Sequence, residues 1–289
     1  MAILSEINAF FSLKDRFWKA PANEPEAHNT AKRFIRLFEG HGVARAQIPR
    51  FFGHGLNLYQ VENEAELLKA LNQDILQAAA ELFGIKLEWL EGATDELYEL
   101  NNFYKAPRQF GIWLDQLLAT SVNPDVDGWL LTTHVSGDQY DALILMRERI
   151  GELSSQPIYR YHFCELWIYS YWKCRADLAA CIAQAWKRNC YIYGRELKVN
   201  VFEKLASLTA IPDAECEGTE IRGRHFHPEN LATEPQDFVN GLAEGSFGKS
   251  AAISRWIEHD KQALMDAGFG DHSHKFESML LKIVPEDCG

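Results

Sequence analysis

Apolar residues recur at the three- and four-residue spacing of amphipathic helices through the N-terminal part of the chain. The pattern predicts a helix over 30–39, which Asn29 or Thr30 can cap and Gly40 ends. An earlier stretch, 3–18, is predicted to form an amphipathic helix that packs on a later domain or on a second subunit. Further helices are predicted over 44–52, 56–61, 64–71, 75–83 and 95–118.

The pattern changes after a turn marked by Asn123, Pro124, Asp125 and Gly128. Aromatic and β-branched residues, which are typical of strands, then dominate the stretches 129–135, 158–172 and 191–201. Helices are predicted over 140–150 and 177–188, and a loop-rich tract, 212–235, precedes a helical C-terminal segment.

This succession predicts an α+β protein with two domains. We expect an all-α N-terminal domain over 1–122, followed by a mixed α/β domain over 123–289. The 289 residues, 47% of them hydrophobic, supply enough apolar surface for a core that needs no disulfide bonds. The six cysteines form no CxxC pair, so we expect reduced thiols within the core.

Targeting signals do not alter this picture. Glu6, Lys14, Asp15 and Arg16 interrupt the first apolar stretch, so no secretory signal is predicted, and no apolar run reaches the length of a membrane span. We therefore expect a cytoplasmic protein with no membrane partner.

Charge is distributed unevenly along the chain. The net charge of -12 excludes a protein that coats nucleic acid without specificity, because such binding needs many cations against phosphates. A basic segment nevertheless occupies 30–53, where the only acid is Glu39 and the basic residues are Lys32, Arg33, Arg36, Arg45 and Arg50. Residues 62–99 are predominantly acidic, so positive potential is confined to one short segment.

Residues 34–53 (FIRLFEGHGVARAQIPRFFG) and 75–93 (ILQAAAELFGIKLEWLEGA) resemble the lambda-repressor-like helix-turn-helix family, the XRE-type regulators. The closing helix of that family has the form IAxxLGVxxxWLxG, which is matched here by Ala79, Ala80, Leu82, Phe83, Gly84, Ile85, Trp89, Leu90 and Gly92. The resemblance covers roughly residues 30–93 and implies a helix-turn-helix core there. It also implies double-stranded DNA as a partner and a homodimer that contacts two half-sites.

The resemblance places the DNA contacts on the basic segment and on a recognition helix over 56–61. Asn57 and Gln60 are predicted to contact bases, and the rest of the predicted DNA-binding set is Lys32, Arg33, Arg36, Arg45, Gln47 and Arg50. Three features favour an alternative, a protein-interaction scaffold that does not bind DNA. Pro49 falls inside the second helix, the recognition helix has no Arg or Lys, and an acidic run follows it.

The C-terminal domain is expected to sense a ligand or to dimerise. Aromatic residues are dense over 159–193, and we predict that four of them line a pocket for a small molecule, Tyr161, Trp167, Tyr171 and Trp186. The alternative is that these residues belong to a sheet packed on the helix over 177–188.

Other motifs are weaker indications of a function. The stretch 245–250 (GSFGKS) lacks the first glycine of a P-loop, since Ala243 stands there, and it predicts a loop in which Ser250 caps the following helix. Two His-x-His pairs, His225 with His227 and His272 with His274, could present imidazoles to zinc or centre an enzyme, but they lie far apart in sequence. No complete catalytic constellation is found, so we predict no enzyme, no cofactor and no metal.

Overall fold

The computed structural model describes residues 30–121, 125–133, 141–215, 221–268 and 270–283. The helix predicted over 3–18 and the turn residues Asn123 and Pro124 lie outside this described part.

The described chain is a mixture of helices and strands, as the predicted α+β class requires. In the first half they are α1 (Thr30–Gly40), a 3-10 helix (Arg45–Gln47), α2 (Ile48–Phe51), α3 (Leu58–Glu62), α4 (Glu64–Ala70), α5 (Gln73–Phe83), α6 (Leu87–Leu90), β1 (Leu100–Asn101), α7 (Pro107–Thr120) and β2 (Val126–Thr133). In the second half they are β3 (Ala142–Leu153), β4 (Gln156–Trp167), α8 (Trp172–Lys187), β5 (Ile192–Leu197), α9 (Val199–Ala206), α10 (Pro212–Glu215), β6 (Arg224–Phe226), α11 (Asn230–Thr233), α12 (Pro235–Val239), α13 (Gly245–Lys261) and α14 (Ser273–Ile283).

The chain forms two compact units, each assembled from three stretches of sequence. The helical unit takes its described residues from 1–99, 150–162 and 199–222, and the sheet unit takes its own from 100–149, 163–198 and 223–289. This division differs from the single boundary at 122/123 that the sequence predicted, because two later stretches cluster with the N-terminal helices.

Specific contacts inside the helical unit explain why the later stretches 150–162 and 199–222 cluster with the N-terminal helices. From strand β4, the Arg160 Nε donates a hydrogen bond to the Leu82 carbonyl at 2.9 Å. In the stretch that contains α9, the Leu208 carbonyl accepts a hydrogen bond from the Leu97 N–H at 2.8 Å. The first contact joins residues 78 positions apart and the second joins residues 208 − 97 = 111 positions apart, so no local sequence pattern predicts either of them.

Helices α1 to α5 lie where the periodicity predicts them. Phe34, Ile35 and Phe38 bury one face of α1, and Gly84, at a left-handed φ of 66°, ends α5 as a C-cap. Pro49 is accommodated because α2 starts late, which places the proline in the first turn, where its missing N–H has no helical partner to lose.

The described strands form one sheet in the order β1-β4-β3-β2-β5-β6. Strand β2 pairs antiparallel with β3 and parallel with β5, so Trp129 lies between Leu145 and Tyr193. Within the sheet unit, α8 packs against α7, α13 and β5, and most of its side chains are buried. This helix is the centre of the hydrophobic core of that unit.

Two helix predictions are wrong. The predicted helix over 140–150 is strand β3, whose residues 142–146 are buried on both faces, so the alternation that identifies a half-buried strand is missing. The predicted helix over 95–118 starts only at Pro107, because Leu100 and Asn101 pair with β4 instead. The strand predicted over 191–201 likewise ends at Leu197, and α9 follows it.

The predicted cap at Ser250 is also wrong. Helix α13 already begins at Gly245, and the Ser250 hydroxyl donates to the Phe247 carbonyl within the helix. The cysteine prediction fits the described part, in which Cys164, Cys174, Cys181 and Cys190 are buried and form no disulfide. Burial raises the pKa of Cys174 to about 12, so its thiol stays protonated at neutral pH.

A buried carboxylate joins α8 to α13. Asp177 is fully buried, and its Oδ1 accepts hydrogen bonds from the Nε and Nη2 of Arg255 at 3.1 and 2.8 Å. The Nε2 of His259, one turn further along α13, lies 2.7 Å from the same oxygen. Because an unpaired buried charge is strongly unfavourable, this cluster fixes how the two helices pack.

We expect Asp177→Ala to lower the free energy of unfolding by about 3 kcal/mol, because it leaves the Arg255 guanidinium without its buried partner. The matched control is Asp266→Ala, which removes an exposed pair with Lys187 and is expected to cost less than about 1 kcal/mol. Urea denaturation of both variants measures the difference. Equal losses would show that Asp177 does not hold the helices together.

Candidate functional site

The segment between α2 and α3 forms a tight turn in the helical unit. Gly53, His54 and Gly55 all have left-handed backbone angles, with φ of 78°, 52° and 74°. Glycine adopts this region at low cost, so the sequence GHG permits three such residues in a row. The turn allows α3 to pack directly against both α2 and the preceding 3-10 helix.

The predicted base-contacting residues cap α3. The Asn57 Oδ1 accepts a hydrogen bond from the Gln60 N–H, and the Gln60 Oε1 accepts one from the Asn57 N–H, both at 3.0 Å. This reciprocal pair is a capping box. A bidentate contact to adenine needs both the oxygen and the nitrogen of an amide, so base contact and capping compete for the same atoms. Gln47 is engaged in a similar way, since its Oε1 accepts from the Ala44 N–H.

The side chains that α3 presents to solvent are different ones. Leu58 and Tyr59 are 57% and 68% exposed, whereas Val61 on the opposite side is fully buried. Sequence reasoning missed both residues as candidates for binding. The signal was available, because a short helix with Leu56 and Val61 in the core must turn positions 58 and 59 outward.

Arg33 belongs to the interior of the helical unit. It is 5% exposed, and its Nη1 donates to the carbonyls of Trp89 and Thr94 at 2.7 and 3.0 Å. Its Nη2 lies 3.5 Å from the Asp95 Oδ1, and burial lowers the pKa of the guanidinium while Asp95 opposes that shift. Arg33 therefore ties α1 to the end of the helical core and has no free face for a phosphate.

Three of the other predicted cations line one groove. Lys32, Arg36 and Arg45 border a cavity of about 500 Å³ on the helical unit, and the remaining lining residues are Ile35, Glu39, Gly40, Glu64, Ile211 and Ala214. The Nε of Arg45 lies 3.5 Å from the Glu39 Oε1. Arg50 is exposed on α2 and is not part of this lining. We call this cavity the basic groove.

The predicted aromatic pocket divides between the two units. Tyr161 is buried in the helical unit, where its ring centroid lies 5.9 Å from that of His41. Trp167 is buried in the core of the sheet unit, and Tyr171 and Trp186 pack against that core. The contacts described for these four residues are those of core side chains.

The histidine pairs do not assemble a metal centre in the described part of the chain. His225 and His227 flank the end of β6 and are exposed, and the His227 Nδ1 lies 3.0 Å from the Glu229 Oε1. His272 is half-buried and His274 exposed at the start of α14. Across the described residues, no group of three or more His, Cys, Asp or Glu side chains is placed to hold a metal ion.

Comparisons of the chain with family models, with curated proteins and with solved structures found no match. In the described ranges, no helix combines the length and the apolar character needed to cross a membrane. The case for a function therefore rests on the basic groove and on the exposed face of α3.

A buried histidine supports the helix that forms one wall of the groove. The His41 Nδ1 lies 2.7 Å from the Leu37 carbonyl of α1, and its Nε2 lies 3.0 Å from the Tyr98 hydroxyl. With the proton on Nδ1, the ring donates to Leu37 and accepts from Tyr98. Burial lowers the pKa of His41 from 6.5 to about 4, so the ring is neutral at physiological pH.

This shift predicts that stability falls as pH decreases from about 6.5 towards 4, because the unfolded chain binds the proton first. The loss attributable to His41 at the acidic end is about 3 kcal/mol. Urea denaturation of the wild type and of His41→Asn between pH 7 and pH 4.5 measures it. We expect the variant to have the shallower pH dependence and His54→Asn, an exposed control, to follow the wild type; parallel curves for all three proteins would contradict the assignment.

Proposed function

We propose that the helical unit binds double-stranded DNA and that the protein is a transcriptional regulator whose sheet unit senses a ligand or dimerises. The observation that carries the proposal is the placement of the partly exposed Arg45 and the exposed Arg50 beside a helix with exposed side chains. Arg45 and Arg50 lie on the 3-10 helix and on α2, and both elements pack directly against α3. A helix-turn-helix domain needs this combination of a projecting helix and flanking phosphate contacts.

The contacts we propose differ from the set that the resemblance implies. Lys32, Arg36, Arg45 and Arg50 supply the phosphate contacts, and Arg33 is left out because its donors serve the core. Tyr59 and Leu58 project from α3 and are suited to apolar contact with a thymine methyl group. Homodimerisation completes the proposal, since regulators of the resembling family contact two half-sites with two copies.

One observation favours a second function, that of a protein-interaction scaffold. Leu58 and Tyr59 project from the start of α3, the exposed acid Glu62 ends the same helix, and Glu64 and Glu66 follow in α4. Exposed apolar side chains bordered by acidic residues are suited to a basic protein partner. DNA phosphates would be repelled by the same rim.

We expect fluorescence anisotropy with a pool of labelled genomic DNA fragments to detect binding that weakens steeply with salt. Arg50→Ala should weaken the binding and lower the slope of log K against log salt by about 0.9, the value for one phosphate contact. Lys69→Ala removes the same charge from the exposed surface of α4, where Lys69 pairs with Glu66, and is expected to leave binding unchanged.

The alternative outcome separates the two functions. Wild-type protein that gives flat anisotropy at every salt concentration would contradict DNA binding and favour the scaffold. Tyr59→Ala adds a further check, because loss of sequence preference without a change in salt slope is the result expected of a base contact.

A further inference from the structure

The sequence contains a single Asn-Gly pair, Asn240–Gly241, and the structure places it in an exposed turn of the sheet unit. The turn follows α12 and joins the buried residues Val239 and Leu242, and the Leu242 N–H donates to the Val239 carbonyl at 3.4 Å. Asn240 has φ of -65° and ψ of 130°, and Gly241 has φ of 72°, which are the angles of a type II turn. The pair thus projects into solvent between two anchored neighbours.

An asparagine that precedes glycine carries both groups of a ring closure. The backbone nitrogen of the glycine can attack the side-chain amide carbon of the asparagine, and it is unhindered because glycine has no Cβ. The space around Gly241 is open, since a Cβ built there would meet nothing within 4 Å. Within the described part of the chain, no hydrogen bond engages the Asn240 side chain or the Gly241 N–H. The two reacting groups can therefore approach each other without losing a hydrogen bond of their own.

A buried arginine holds the carbonyl group that lies between these two residues. Arg175 of α8 is 1% exposed, and its Nη1 donates to the Asn240 carbonyl at 3.1 Å and to the Phe238 carbonyl at 2.8 Å. Its Nε donates to the Tyr169 carbonyl at 2.8 Å, so the guanidinium is itself fixed. The ring requires the Gly241 nitrogen to eclipse the Asn240 Cβ, so closure turns the peptide away from ψ of 130° and withdraws the carbonyl from Arg175. The hydrogen bond from Arg175 therefore opposes the reaction.

We propose that Asn240 is a site of spontaneous deamidation whose rate in the folded chain is limited by Arg175. The Gly241 nitrogen forms a bond to the Asn240 Cγ, the Cγ–Nδ2 bond breaks, and the proton of the Gly241 N–H leaves with the side-chain nitrogen as ammonia. The product of this step is a five-membered succinimide. Water then adds to one of the two carbonyl carbons of the ring, the bond from that carbon to the ring nitrogen breaks, and the nitrogen takes a proton. The net reaction consumes a water and releases an ammonia, so it needs no oxidant or reductant.

The two directions of water addition give different chains. Addition at Cγ restores the normal backbone, with aspartate at position 240. Addition at the backbone carbonyl carbon routes the chain through Cβ and Cγ, which gives isoaspartate and leaves the former carbonyl as a carboxylate. Either product adds a negative charge to the residue that contacts the buried Arg175 guanidinium. The modification concerns the sheet unit and is independent of the proposed DNA binding.

Incubation of the full chain at mildly alkaline pH in isotopically labelled water, followed by proteolysis and mass spectrometry, tests the site. We expect the peptide that contains Asn240 to gain labelled oxygen and to elute as separate aspartate and isoaspartate forms. Asn200 is the matched internal control, because it is also exposed but precedes Val201, whose β-branched side chain crowds the attacking nitrogen. Retention of the Asn240 amide in the folded chain, or equal conversion at Asn200, would overturn the proposal.

Comparison of the folded chain with the chain in guanidinium chloride measures the restraint. We expect deamidation of Asn240 to be about tenfold slower in the folded chain, which is the scale of breaking one hydrogen bond to a charged group. Equal rates in the two states would show that the fold does not restrain the turn. This comparison uses the wild type alone, so it does not depend on the folding of any variant.

Two variants assign the restraint to Arg175. Arg175→Lys removes the planar guanidinium and is expected to raise the rate in the folded chain by about tenfold. Arg188→Lys changes an arginine near the end of the same helix that pairs with Asp115, and it should deamidate as the wild type does. Circular dichroism and urea denaturation establish that both variants are folded. An unchanged rate in folded Arg175→Lys, or the same increase in both variants, would contradict the role of Arg175.

Discussion

A charge that folding removes from water must find fixed partners, and each compact unit of this chain contains at least one buried charge that joins separate elements. In the sheet unit Asp177 is such a residue, because its Oδ1 lies within hydrogen-bond distance of Arg255 and His259 and so links α8 to α13. In the helical unit Arg33 has this role, because its Nη1 donates hydrogen bonds to the carbonyls of Trp89 and Thr94. Hydrophobic burial alone is non-directional and would allow helices to slide. The hydrogen bonds of a buried charge are directional, so Asp177 and Arg33 restrict how the helices that they join can pack.

The same constraint explains which parts of the fold the sequence could predict. Helices α1 to α5 were predictable because their apolar stripes, caps and glycine ends are local signals. Strand β3 was not, because a strand buried on both faces loses the period-two alternation, and its Ala, Leu and Met residues are typical of helices. The assembly of each unit from three separate stretches of sequence had no local signal. It depends on long-range contacts such as the one between Leu97 and Leu208.

The candidate site was predictable in its charge but not in the role of each residue. Arg33 and Arg36 lie on the same short helix and look alike in composition, yet one is buried and the other exposed. The distinguishing signal is positional, since Arg33 stands one turn before the buried Leu37 and so borders the apolar stripe. Asn57 and Gln60 illustrate the opposite difficulty. Their residue types and spacing fit both a capping box and an adenine contact, and only the hydrogen bonds of the folded chain show the first.

A strongly acidic chain gives its one basic segment particular weight. With a net charge of -12, the surface as a whole repels anions, so an anion is attracted only where cations outnumber acids locally. Lys32, Arg36 and Arg45 line the basic groove, whereas Arg50 stands on an open surface. An anion at the groove meets several cations together with the acids Glu39 and Glu64, whereas an anion at Arg50 meets one cation on an open surface. The two parts of the basic segment therefore contribute differently to the attraction of any anionic partner, because a local potential depends on all the charges that surround it.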